Sequence, residues 1–368
     1  MIKICHVTST PQNSIPRILR ESSSAIKMQI KPYIVAQGDS YEKDGVTYIG
    51  VKSARSRLQR MIFTSRMLYK EALKINADIY QIHGPELLPF AAKLKKKGKI
   101  VIFDSHEFYG VQIEVKEYIP KIFRKLIAKI YKVYETYICK KLDAVIAVCT
   151  ISDEDYFANR TKKTVFVANM PDNNVFFNNI PIKDKELNSV IYVGALTHSR
   201  GITNLIRAVA KTPATLTLCG PFISTEYYDE LKSTPDFSEV NYKGVVSKNE
   251  VVEILSKSYI GVSTLLHVGQ YSIIDTLPTK VYEYMSMGLP VIISNTSYAK
   301  KVVNEYEFGV CVDPENVIEI AEKIKFLIDN PEIAHRMGDN GKKAIREKYN
   351  WNFEENKLIN LYKELLFG

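Results

Sequence analysis

No stretch of eighteen apolar residues occurs anywhere in the chain, which excludes a membrane-spanning helix. The five cysteines (Cys5, Cys139, Cys149, Cys219 and Cys311) are odd in number, with no close pairing and no metal-ligand spacing. They therefore read as buried thiols in a reducing cytoplasm, not as a disulfide frame or a zinc site. No Walker loop is present, and no Ser/His/Asp or Cys/His nucleophile constellation stands out. The opening MIKICHVTST lacks a basic n-region, a long apolar core and a small-residue cleavage site, so it reads as a first strand in place of a signal peptide. The expected location is the cytoplasm, where the patterns NRT (159–161) and NTS (295–297) stay unmodified. The sole tryptophan, Trp351, sits between two helical stretches and reads as a packing anchor.

What the chain has in plenty is positive charge in one half. Residues 1–180 hold 29 Lys and Arg against 17 Asp and Glu, whereas residues 181–368 hold 21 against 24. Such asymmetry points the first half toward an anionic partner. One basic cluster is KLKKKGK (93–99). The other is KEYIPKIFRKLIAKIYKVYETYICKK (116–141), where Ile122, Ile127, Ile130 and Tyr134 fall near helical spacing among lysines. A basic amphipathic helix of this kind can lie at the inner face of an anionic membrane. The plainer reading is a core-facing helix with a solvated lysine face. No nucleic-acid-binding motif accompanies the charge, so nucleic acid is not an expected partner.

Short β-branched runs alternate with longer helical patterns throughout. Strands are expected at 3–9, 32–37, 79–83, 99–105, 144–149 and 165–169, and again at 190–194, 215–220, 261–266, 291–294 and 308–312. This alternation is that of parallel sheets covered by helices on both faces. The fold class is α/β, with two doubly wound Rossmann-like domains facing across a cleft. The boundaries are expected at 1–178 and 179–348, joined by the Asn- and Pro-rich linker 169–188. A final helix, 349–368, is expected to pack back toward the first domain. Ligands of such sheets bind at the carboxyl ends of the strands.

Two cations then stand out. Arg200 in VGALTHSRGI and Lys280 in DTLPTKVYEYMSMGLPVI lie at the expected N-termini of helices. The helix dipole disfavours cations there. Both positions make sense if the charges share an anion, and helix N-termini are themselves phosphate sites. Thr279 reads as an N-cap, with Gly288 closing the helix and Pro290 preventing its continuation. Glu283 lies one place too far along for a capping box, so capping does not explain it. An i,i+3 pair with Lys280 is the plain alternative. A carboxylate in that position can also chelate vicinal hydroxyls, as acids do for ribose. Asp275, on the loop before the helix, is either a turn residue or an orienter of sugar hydroxyls.

These blocks resemble family 4 glycosyltransferases of the GT-B fold. VGALTHSRG resembles their glycine-loop-Arg/Lys-Gly segment, and DTLPTKVYEYMSMGLPVI their acid-x7-acid block followed by Gly-x-Pro-Val. ADIYQIHGPELLPFAAKLKKKGKIVIFDSHE resembles a stretch of bacterial members that build surface polysaccharides such as capsule or lipopolysaccharide, and DNPEIAHRMGDNGKKAIREKYNW resembles their tail. The resemblance implies a sugar moved with retention from a nucleotide diphosphate, UDP first and GDP open, to a hydroxyl of a glycan or lipid-linked acceptor. It implies no metal and no other cofactor. Arg200 and Lys280 would hold the diphosphate and stabilise it as leaving group. Glu283 would bind ribose, and Gly194 would let the loop approach the phosphates. Gly220 and Val246, the latter in the GVVS loop (244–247), would flank the base. Asp275 and Thr279 belong to the same donor-binding block. His106, in DSHE, would face the donor sugar, with a hydrogen-bonded loop histidine as the plain alternative.

The chain departs from the family pattern at Asp275, which is usually Glu, and at TLPTK, which replaces a glycine-rich run. The first loop, TSTPQNSIPRILRE, lacks the paired glycines of many members, leaving Arg17 and Arg20 either to line the cleft or to cover a helix surface. His83 ends a strand and either lines the acceptor side or is structural. SDED (152–155) contains an Asp-x-Asp, but Ser152 and the acids suit a helix N-terminus better than a metal. The alternatives to a transferase are an epimerase on the same fold and a non-catalytic nucleotide-sugar-binding relative.

Overall fold

The computed structural model describes residues 1–116, 118–171 and 185–368. The linker expected at 169–188 lies largely outside them. The chain divides into two compact units, one of Met1–Asn169 with Phe353–Gly368 and the other of Met170–Asn352.

The first unit is built on eight strands: β1 (Lys3–Pro11), β2 (Lys31–Gln37), β3 (Tyr41–Lys43), β4 (Val46–Val51), β5 (Ile79–His83), β6 (Ile100–Ser105), β7 (Ala144–Ala147) and β8 (Thr164–Phe166). They run in the order β3-β4-β2-β1-β5-β6-β7-β8. All pairs are parallel except β3–β4. β1, β5 and β6 are almost wholly buried because helices cover both faces, and this is why they read as continuous apolar runs. The β3–β4 hairpin was not expected. Its turn is Asp44-Gly45, both at positive φ (52° and 77°), the conformation a right-twisted two-residue hairpin needs. The last helix, Trp351–Phe367, delivers residues 353–368 to this unit. There Tyr362 donates to Gln81 Oε1 (2.6 Å), and Lys27 Nζ reaches both oxygens of Glu355 at 2.8 Å.

The second unit carries β9 (Ser189–Val193), β10 (Thr215–Cys219), β11 (Val240–Gly244), β12 (Ile260–Ser263), β13 (Val291–Ser294) and β14 (Gly309–Val312). Their order is β11-β10-β9-β12-β13-β14, with every pair parallel. β11 was not expected. It is an edge strand whose VNYKG alternates between exposed and half-buried positions, so it lacks the apolar run that marks its neighbours. Val190, Tyr192, Leu218 and Val262 pack under the helix Ile202–Val209 to form the core. Trp351 is buried, and its N–H donates to Pro171 O (3.0 Å). Among the described residues all five cysteines are free thiols, four buried and Cys311 half-buried.

Two sequence expectations need correction here. Ser152 and Asp153, at φ 51° and 64°, are the centre of a tight turn closed between Ile151 and Glu154, and not the first turn of a helix. The helix Lys121–Cys139 does not turn Ile122, Ile127 and Ile130 inward, as its core-facing reading required. Ile122, Ile127 and Ile130 are exposed, while Tyr134 is half-buried.

Candidate functional site

The carboxyl ends of β9 and β10 in the second unit are stripped of side chains. Gly194 follows β9 at φ 132° and Gly220 follows β10 at φ 134°. A Cβ on Gly220 would fall 2.1 Å from Gly194 O, so no other residue fits there. The Gly194 N–H donates to Cys219 O (2.8 Å) and the Gly220 N–H to Gly244 O (2.7 Å), which ties the three strand ends together. The loop after Gly194 makes a short turn, His198–Arg200, then Gly201 at φ 71°, then the helix Ile202–Val209. A Cβ at Gly201 would lie 1.9 Å from Thr264 O, so glycine lets this loop press onto the chain leaving β12. Arg200 thus precedes its helix by one residue. It is half-buried, with its guanidinium 5.6 Å from the centre of the Tyr271 ring.

Lys280 lies in the first turn of the helix Thr279–Ser286 and is buried, with 7% of its surface exposed. Its Nζ stands 3.5 Å from the centre of the Tyr192 ring and has no hydrogen-bond partner among the described residues. A Cβ at Gly194 would come within 3.2 Å of this Nζ, so the ammonium sits directly at the bare strand end. Burial pushes its pKa well below the usual lysine value, and the charge of Arg200 pushes the same way, with Glu283 opposing. A buried, unpaired ammonium next to a second cation is costly for the fold alone. The ring face of Tyr192 offsets part of that cost and does not neutralise the charge.

Of the other residues of the block, Glu283 is close enough to act on the Lys280 charge. Glu283 and Asp275 are half-buried, and Val246 is half-buried on the loop after β11. Thr279 is not an N-cap. Pro278 holds that position without a side-chain bond, and Thr279 is the exposed first residue of the helix. Proline at this position presets φ for helix entry. Gly288 (φ 65°) ends the helix as expected, its N–H donating to Met285 O (3.0 Å). In GVVS, Ser247 and Glu250 form a reciprocal capping box that starts the helix Lys248–Lys257. The S-x-x-E spacing was legible in the sequence and was missed. Tyr192 and Tyr271 were also missed. Nothing local distinguishes a strand tyrosine that underlies an ammonium from one that packs in a core.

In the first unit, His106 is partly exposed, with 36% of its side chain accessible, and heads a line of three histidines. His106 Nε2 is 3.0 Å from His83 Nδ1, and His83 Nε2 is 3.0 Å from His6 Nδ1. His83 and His6 are buried, and burial lowers the pKa of both, that of His6 to about 4. His83 therefore lines no surface. Arg17 is buried too, which overturns both readings of it as a cleft or surface residue. Its guanidinium grips Asp104 with Nε and Nη2 at 3.2 Å each, reaches Glu21 Oε1 (3.0 Å) and donates to Val167 O (2.9 Å). Burial opposes the ionised form of Asp104, but Arg17, His106 and His83 outweigh it and hold the carboxyl well below its usual range. Glu21, buried beside Asp104, is pushed well above its own. Arg20 bonds the Asn169 side chain.

Donor atoms of His83, Asp104 and His106, and of His6, Glu21 and His83, come within 4.8 Å of one another. A metal ion could be surrounded at that spacing. Arg17 already balances Asp104, however, and the ring nitrogens are within hydrogen-bond distance of each other, so the donor set fits an internal network better than a cation.

Residues 175–344 match the family described as glycosyl transferases group 1. They are a group 1 glycosyl transferase domain. The chain is 22% identical over 181 residues to an alpha-D-kanosaminyltransferase of Streptomyces kanamyceticus, an alignment covering 48% of this chain and 45% of that one. It spans about half the length of curated relatives such as this. Sucrose-phosphate synthase from Thermosynechococcus elongatus superposes with a TM-score of 0.79 at 17% identity, covering 99% of both chains. An Anabaena protein solved with UDP-glucose gives a TM-score of 0.74 at 14% identity, covering 99% of this chain and 100% of that one. The fold is therefore GT-B, two Rossmann-like α/β units, as the sequence blocks implied. Among the described residues no helix is long and apolar enough to cross a membrane.

Proposed function

We propose that this chain transfers a sugar from a nucleotide diphosphate, with UDP as the carrier, to a hydroxyl of a glycan or lipid-linked acceptor in surface polysaccharide synthesis. The observation that carries this reading is the buried Lys280 ammonium, unpartnered beside Arg200 and facing the bare glycine at the end of β9. A diphosphate placed there receives both positive charges and the exposed backbone of the Gly194 loop. Glu283 takes the ribose hydroxyls. Gly220 and Val246 flank the base, and Asp275 and Thr279 serve the donor sugar from the same block. His106, the exposed end of the histidine line, is the first unit's candidate for a donor-sugar contact.

The chemistry follows from charge. As the glycosidic C–O bond breaks, negative charge collects on the diphosphate, and Arg200 and Lys280 stabilise it more in the transition state than in the ground state. The acceptor hydroxyl attacks from the side the diphosphate leaves, its proton passing to the departing phosphate oxygen, so the configuration is retained. The residues named need no metal for this step, because the two cations do the work a metal would do on the phosphates. The Anabaena relative solved with UDP-glucose favours UDP. The basic helix within 116–141 brings the chain to an anionic membrane that carries the acceptor.

The test is a mass-spectrometric screen of UDP-, GDP- and ADP-sugars against lipid-linked acceptor extracts. A glycosylated acceptor formed from a UDP-sugar supports the proposal. Epimerised donor without acceptor, or tight UDP binding with no turnover on any acceptor, overturns it.

A further inference from the structure

Among the described residues, 26 large hydrophobic side chains are exposed, and 13 of them fall in two short stretches of the first unit, 57–67 and 118–137. The second stretch contains most of the helix Lys121–Cys139. Ile122, Leu126, Ile130, Val133 and Tyr137 are all exposed, from 56% at Leu126 to 80% at Ile122. Their spacing of four, four, three and four residues confines them to one stripe about 80° wide, at about 100° per residue. The opposite side packs inward through Ala128, Glu135, Ile138 and Cys139. Lys121, Lys125, Lys129 and Lys132 run along one flank of the stripe. The helix is therefore amphipathic in the unusual sense that its apolar stripe faces water.

The first stretch behaves alike. Leu58, Met61, Ile62, Phe63 and Met67 are exposed, from 41% to 67%, on the turns running from Arg57 into the helix Ser65–Ile75. The Arg57 guanidinium lies 4.1 Å from the centre of the Tyr118 ring, which joins this stretch to the segment leading into the basic helix. Together the two stretches hold eight Lys and Arg and one acid, Glu135. That acid is buried and engaged by Arg160 (2.6 Å) and Tyr131 (2.9 Å), so it offers no negative charge outward.

We propose that the stretches 57–67 and 118–137 form one surface that inserts into an anionic lipid bilayer, with Ile62 and Phe63 entering beside the stripe of the basic helix. The inference rests on the proposed contact of 116–141 with membrane and extends it to a second element and to apolar insertion. Charge selects the occupant. A second copy of this surface would oppose eight cations with eight more, whereas an anionic headgroup layer neutralises them. The exposed apolar side chains then reach the acyl boundary, where such helices lie. A purely electrostatic contact would leave them unexplained, since exposed apolar patches of this kind mark interaction sites.

The experiment uses the full chain and flotation with vesicles of phosphatidylcholine, alone or mixed with phosphatidylglycerol. Wild type is expected to float only with phosphatidylglycerol. Ile62→Ser/Phe63→Ser and, separately, Ile130→Ser/Val133→Ser are each expected to lower the bound fraction at least tenfold with unchanged circular dichroism. Phe63→Trp keeps the apolar character, and its added indole emission, read against wild type, is expected to shift to the blue and to be quenched by brominated lipid. If only the Ile130/Val133 pair matters and the added emission of Phe63→Trp does not move, the two-element surface is wrong and the contact of the basic helix stands. If wild type ignores phosphatidylglycerol, both fail. Self-association in solution that either serine pair abolishes would assign the surface to a second copy and overturn the proposal.

Discussion

Arg17 in the first unit and Lys280 in the second are both buried cations, and the two are treated in opposite ways. Arg17, 4% exposed, is closed on every side by Asp104, Glu21 and the Val167 carbonyl. Lys280, 7% exposed, has a ring face and no acceptor among the described residues. A fold that needs a buried charge for its own integrity supplies the counter-charge, as the first unit does. The second unit instead places Arg200 near enough to depress the Lys280 pKa further. That arrangement makes sense if the missing partner is an anion that comes and goes. Under the proposed function, the difference separates a structural cation from one held for a ligand, with both in similar burial.

The largest effect expected from breaking this comparison is on the first unit. Arg17→Met leaves Asp104 buried without its cation and should cost about 3–5 kcal/mol in denaturant unfolding. Because Asp104 titrates well below its ordinary value in the fold, its contribution to stability is complete above the usual carboxylate range and is lost as pH falls through the depressed pKa. That acid-side loss should shrink in the variant. Arg200→Ala should leave folding intact and lower kcat by roughly 10²–10³, the scale of a lost transition-state donor, measured with saturating donor. Glu283→Ala removes charge-assisted hydrogen bonds to ribose worth about 1.5–3 kcal/mol, so UDP affinity by calorimetry should fall roughly 10–100-fold. Near wild-type behaviour of both Arg200→Ala and Glu283→Ala would sink the site.

Much of the fold was legible because buried parallel strands read as unbroken apolar runs. IYQIH and VIIS match β5 and β13 residue for residue. What escaped was amphipathic or at an edge. β11 alternates like an exposed strand, and the β3–β4 hairpin was announced only by Asp44-Gly45. The positions of Arg200 and Lys280 were legible from their conflict with the helix dipole. That Lys280 would be buried over Tyr192 was not, because it depends on two strands and a helix meeting. Arg17 was misread for the same reason. Its partner Asp104 lies 87 residues away, and no local pattern links them. Ile122, Ile127 and Ile130 were left between a membrane-facing and a core-facing reading, since periodicity says which residues share a face and not which way that face points.

Smaller effects sharpen the contrast. Lys280→Met removes a buried charge that has no hydrogen-bond partner among the described residues and should stabilise the free protein by about 1 kcal/mol, or roughly 2–4 °C in Tm for a unit of this size. Arg17→Met moves Tm the other way. The sign for wild type follows from linkage: a lysine depressed in the fold is charged at a cost, so stability rises with pH between its folded and unfolded pKa values. A bound diphosphate restores the Lys280 pKa. UDP binding should therefore take up protons, and affinity should weaken as pH rises through the depressed value. Calorimetry in buffers of differing ionisation enthalpy reads this directly.

The central claim is that the Lys280 ammonium waits for a diphosphate, and UDP titration of wild type and Lys280→Met by calorimetry tests it most directly. The account predicts at least a tenfold loss of affinity, about 1.4 kcal/mol, in a variant that melts no lower than wild type. Unchanged UDP affinity in a folded Lys280→Met protein would contradict it.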